Sequence, residues 1–153
     1  MFPNALADML NNRHIWVALF ACVSAQGIKV LIEYAFTQKL DKALLFSTGG
    51  MPSSHSAFVV ALALSIGTME GLNSPVFALA FVFACIVMYD AAGVRRATGK
   101  HAQVINDLMD RLKKIGVKPD KKLKEILGHS PVEVVGGAIW GSVVVALAYW
   151  LMR

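Results

Sequence analysis

Two histidines hold the chemistry open to this chain. His129 stands in "GHSPVE", four residues ahead of Glu133, and His55 stands in "GGMPSSHSAF", directly after Ser53 and Ser54. If a helix begins at or just before Pro131, the Glu133 carboxylate reaches back to the imidazole and fixes its tautomer and orientation. A histidine held in that way suits attack on phosphorus, with a second histidine protonating the leaving oxygen. The turn "GGMPSSH" opens a helix whose first N–H groups have no partner within it, which makes a cradle for an anion. Cations add to the set: Lys29 in the first apolar stretch, and Arg95 and Arg96 after the third, with Asp90 placed to hold an arginine. Taken singly, each has a plainer role as an N-cap, a snorkelling lysine or a positive-inside residue. It is their convergence that suggests a site.

Positioning these groups falls to a chain of 153 residues that is 56% hydrophobic and 16% charged, with mean hydropathy +0.57. A soluble domain is roughly half apolar and a quarter charged. Here the apolar excess lies in blocks, so the expected fold is an all-α, polytopic membrane helical bundle, one domain over residues 1–153, with about four transmembrane helices. The spans run from Ile15 to Tyr34, from the PSSH motif to near Glu70, from Ser74 to Asp90 and from Pro131 to Met152. Gln26, Lys29 and Glu33 interrupt the first on one helical face. The second is short unless the PSSH segment is itself sunk into the protein. Ser74 reads as an N-cap with Pro75 at the first helical position.

Between the third and fourth spans, "HAQVINDLMDRLKKI" puts Val104, Ile105, Leu108, Leu112 and Ile115 on one stripe opposite a charged face. This predicts an amphipathic interfacial helix that lies on the membrane or caps the bundle. A shorter helical piece, "KKLKEIL", ends at Gly128. Cys22 and Cys85 sit in apolar stretches as reduced, small hydrophobes. His14 and His101 read as surface residues. Gly137 and Gly141 form a GxxxG pair that brings helices close, within one chain or between two, which leaves a homodimer open.

Four spans impose a topological test. Lys29 and Glu33 close the first span, Pro52 to His55 open the second, Asp90, Arg95 and Arg96 follow the third, and His129 and Glu133 open the fourth. All of these fall on one membrane face. The same face collects most of the lysines and arginines, so the positive-inside rule makes it cytoplasmic in an inner (plasma) membrane. The net charge of +5 suits anionic headgroups, and no motif points to nucleic acid.

"GGMPSSHSAF", "MYDAAGVRRATGKHAQ" and "LKEILGHSPVEVVGGA" together resemble a divergent bacterial and plastid branch of the type-2 phosphatidic acid phosphatase superfamily, which is related to vanadium-dependent haloperoxidases. The resemblance implies a membrane lipid phosphatase that uses no metal or other cofactor and passes through a phosphohistidine on His129. It puts Glu133 in place of the orienting aspartate, His55 in place of the general acid and Ser53 and Ser54 in the phosphate-binding turn, with Lys29 as the first phosphate-gripping lysine. Phosphatidate, phosphatidylglycerophosphate and polyprenyl diphosphates stand equal as substrates. Departures from the superfamily pattern are clear. Phe36 and Thr37 stand where Arg-Pro is usual, Leu123 stands where a second arginine is usual, and Ser54 replaces a glycine. Arg95 or Arg96 would supply the lost guanidinium. Rival readings are a non-enzymatic anion-binding or transport protein, a vanadate-holding haloperoxidase, and a metal site of His55, His129 and Glu133.

Overall fold

The computed structural model describes residues 4–38, 49–116, 122–123 and 128–151. Among the described residues six helices follow one another: α1 (Ala5–Leu10), α2 (Arg13–Thr37), α3 (Ser54–Glu70), α4 (Pro75–Ala92), α5 (Val94–Lys113) and α6 (Pro131–Leu151). No strand occurs among the described residues. Helices α2, α4 and α6 are long and apolar enough to cross a membrane, and α3 is a shorter apolar helix of 17 residues. The expected all-α membrane bundle is therefore what the chain forms. The "KKLKEIL" piece lies largely outside the described residues.

Helix starts follow the local chemistry. The Ser74 side chain accepts from Phe77 N at 3.0 Å, with Pro75 at the first helical position. The Asn12 side chain caps α2 in the same way, accepting from His14 N at 3.0 Å. Gly93 joins α4 to α5, which begins at Val94, well before the His101 start read from the periodicity. The glycines of "GVRRATGK" argue against helix by propensity, but Gly99 is buried on α5, where the absence of a side chain permits close packing.

α3 is the central element, with nine of its residues buried and α2, α4 and α6 all packed against it. Its neighbours approach through small side chains. Ala21 and Ala25 of α2 meet Ala57 and Ala61 of α3 and Val144 and Val145 of α6, as expected where helices gain little from hydrophobicity and must gain from close contact. The GxxxG pair works within this chain. A Cβ on Gly137 would run into Ser53 O, and one on Gly141 into Ala57 O, so α6 lies directly on the first turns of α3. α4 is peripheral: only Ala84 and Ala91 are buried, while Leu79, Phe81, Val82, Phe83 and Ile86 face outward as a lipid-exposed surface. Both cysteines are free.

At the end of the bundle away from Lys29, His14 is half-buried rather than on the surface. Its Nδ1 is 2.8 Å from Ser65 Oγ and its Nε2 is 3.4 Å from Glu70 Oε1. This cluster ties the start of α2 to the end of α3.

Candidate active site

The start of α6 builds the core of the site. Ser130 and Glu133 cap one another: Glu133 N donates to Ser130 Oγ and Ser130 N to Glu133 Oε2, each at 3.3 Å. This is a capping box with Pro131 at the first helical position. The same Oε2 lies 3.0 Å from His129 Nδ1. A carboxylate only accepts, so Nδ1 is the donor, and the tautomer this selects is the one that has its lone pair on Nε2. Nε2 is buried and has no hydrogen-bond partner among the described residues, and the ring is 2% exposed. Ser130 went unread in the sequence, although S-x-x-E after a glycine and around a proline is the signal that marks it.

Two backbone bonds lock this corner to the rest of the bundle. His129 N donates to Ala91 O at the end of α4 (2.9 Å), and Ser53 N donates to Glu133 O (3.0 Å). Gly128 makes the first of these possible. Its φ is +82°, and a Cβ there would collide with the backbone of Arg95 and Arg96. Gly128→Ala is expected to cost about 1–3 kcal/mol and to displace His129. The check is a thermal-denaturation midpoint in detergent, alongside the wild-type chain.

His55 stands on the first turn of α3 with its ring edge toward His129, the centroids 5.9 Å apart at 61°. Between them lies a small cavity of about 20 Å³, lined by His55, Val87, Asp90, Ala91, Arg95 and His129, space for about one water. At its mouth Arg95 Nε donates to Asp90 Oδ2 at 2.7 Å, with both side chains exposed. The partnership inferred between Asp90 and an arginine is thus formed, and Arg95 is the arginine concerned.

The other candidates stand further back. Ser53 is fully buried and serves as the N-cap of α3: its Oγ accepts from Ser56 N at 3.3 Å and from Ser56 Oγ at 3.1 Å. Ser54 is buried beside it. Lys29 is 3% exposed and continues the buried Ala18–Ala21–Ala25 stripe of α2. Its stem packs beneath Gly50, whose φ of +93° and lack of a side chain leave room for it. Lys29 does not line the cavity, but its charge acts on both Glu133 and His55. Arg96 is exposed and also lies outside the cavity lining.

Residues 10–144 match the family described as "Divergent PAP2 family". The chain belongs to the divergent PAP2 family. A Bacillus subtilis (strain 168) relative, described as "Uncharacterized membrane protein YuiD", is 43% identical over 157 residues, which cover 95% of this chain and 99% of that one. No solved structure matches the chain. Every candidate site residue of this divergent PAP2 protein, from Lys29 to Glu133, falls inside the matched span. With its apolar helices and its membrane-protein relative, this family member is an integral membrane protein.

Proposed function

We propose that this divergent PAP2 protein hydrolyses a lipid phosphomonoester or diphosphate through a phosphohistidine on His129. The observation that carries the reading is His129 itself, with Nδ1 held by Glu133 and a buried, unpartnered Nε2 at a cavity edged by a second histidine and an arginine. In the reaction, Nε2 attacks phosphorus and the P–O bond to the lipid breaks as His55 gives its proton to the departing oxygen. His55 then takes a proton from water, the water oxygen attacks phosphorus, and the P–N bond breaks to release inorganic phosphate. The Arg95 guanidinium and the field of Lys29 stabilise the charge that builds on the phosphoryl oxygens. Since Asp90 already holds Arg95, substrate phosphate shares or displaces that partner as it enters. The clustering of lysines and arginines at this end supports a cytoplasmic site in the inner (plasma) membrane.

The test is phosphate release by detergent-purified protein offered phosphatidate, phosphatidylglycerophosphate or undecaprenyl diphosphate, with and without vanadate. Vanadate-sensitive release from one of them supports the reading. Folded protein with no release from any lipid, but with electrogenic anion flux in liposomes, would favour a transport role instead. Arg95→Ala is expected to raise KM about tenfold to a hundredfold, the worth of a charge-assisted hydrogen bond to phosphate. Initial rates against substrate concentration measure this.

A further inference from the structure

The geometry points to α5 as an arm that docks on an anionic phospholipid leaflet, its apolar stripe among the acyl chains and its basic edge on the phosphates. Three faces of the helix have three different fates. Gly99, Ala102 and Asn106 are buried, and Asn106 is tied to Leu123 by paired bonds: its Nδ2 donates to Leu123 O at 2.8 Å, and Leu123 N donates to its Oδ1 at 2.9 Å. That face holds the helix to the protein. Val104, Ile105 and Leu108 lie on a second face and stay 69%, 41% and 55% exposed, Leu112 on that face is half-buried, and Ile115, just past the end of the helix, is 76% exposed. Among the described residues, the bundle leaves these exposed side chains uncovered.

Lys100, Arg111 and Lys114 fall along the edge of the stripe at helical spacing. Asp107 shares that edge. Asp110 lies beyond it and is already paired with Lys122 at 2.7 Å, a contact that holds its carboxyl below the ordinary carboxylate range. Where stripe and basic edge meet, Val104, Asp107, Leu108 and Arg111 line an open groove of about 310 Å³. Charge complementarity and position both select a leaflet as the occupant. α5 carries five cations against two acids, too many charges to cross a bilayer, and it leaves α4 through Gly93 where that lipid-facing span ends. A basic edge beside an apolar stripe at that level is the pattern of a helix lying in the headgroup region of an acidic membrane. Arg95 heads the same helix, so docking also fixes the mouth of the cavity. The inference does not depend on the proposed catalysis.

Spin labels test it in the full chain with Cys22 and Cys85 replaced by alanine. Labels at Leu108→Cys, and independently at Val104→Cys, are compared with one at Gln103→Cys on the charged face, in phosphatidylglycerol and phosphatidylcholine vesicles. In phosphatidylglycerol the stripe labels are expected to relax several-fold more with oxygen than with a water-soluble nickel chelate, and the Gln103 label the reverse. Phosphatidylcholine, or the Lys100→Glu/Arg111→Glu pair, should shrink that contrast at least twofold. Stripe labels open to nickel in phosphatidylglycerol would overturn the inference. So would labels shielded from both reagents, which would mean that protein covers the stripe, or a contrast indifferent to lipid charge.

Discussion

His129→Ala is expected to abolish vanadate-sensitive phosphate release, with a loss of at least about a thousandfold, because no other described group can take over the attack on phosphorus. The structure gives this expectation its detail. Alanine removes a ring nitrogen that is buried, at the cavity and without a hydrogen-bond partner among the described residues, while leaving the backbone bond from residue 129 to Ala91 O intact. The fold should survive, and loss of activity then reports on chemistry. Alkaline quenching of a reaction with a ³²P-labelled substrate should trap label on the wild-type chain and none on the variant. His55→Ala should lose less, about a hundredfold to ten-thousandfold, because a general acid contributes on that scale. A folded His129→Ala protein that still turned over lipid phosphate at the wild-type rate would end the phosphohistidine reading.

The second large effect concerns packing. Gly137→Val is expected to destabilise the bundle by about 3 kcal/mol or more, since overpacking a tight contact forces backbone to move. The atom in the way is Ser53 O, on the very turn that carries His55, with Ser56 close behind. Neither is the flexible end of a long side chain. Gly136→Ala is the control. A Cβ there meets only the side chain of Met51, its terminal methyl tightest at 3.0 Å, and that side chain is exposed and free to swing away. Thermal midpoints in detergent should fall sharply for Gly137→Val and hardly move for Gly136→Ala. Equal midpoints would mean that α6 does not rest on α3 as described.

Much of this architecture could be read from residue order alone. Ser74 with Pro75 and the Gly137–Gly141 pair are local signals, and each sits where its chemistry requires. The alternation of spans by itself puts His55, Asp90, Arg95, His129 and Glu133 on one face, because an even number of crossings leaves no other arrangement. Other features are set by tertiary contact and leave little local trace. The helical turns from Val94 to Lys100 look weak by propensity, yet form because Gly99 and Ala102 give α5 a narrow packing face. Which arginine reaches the cavity depends on where Gly128 presses against the start of α5, which periodicity does not report. The family resemblance makes Lys29 a phosphate-gripping lysine, but its burial on the alanine stripe of α2, with its stem beneath Gly50, is a matter of packing that the resemblance does not report.

The short central helix has one further consequence. Seventeen residues of α3 rise about 26 Å, less than a hydrocarbon layer of about 30 Å. Enclosed by its longer neighbours, α3 can start below the headgroup plane without showing its bare N–H groups to lipid. On the proposed function, a start of α3 below the headgroup plane would recess the site, so that a lipid substrate would have to sink, or the leaflet pinch inward, before phosphorus meets His129. Turnover should accordingly depend on bilayer thickness, with shorter-chain lipids closing the hydrophobic mismatch and longer-chain lipids widening it.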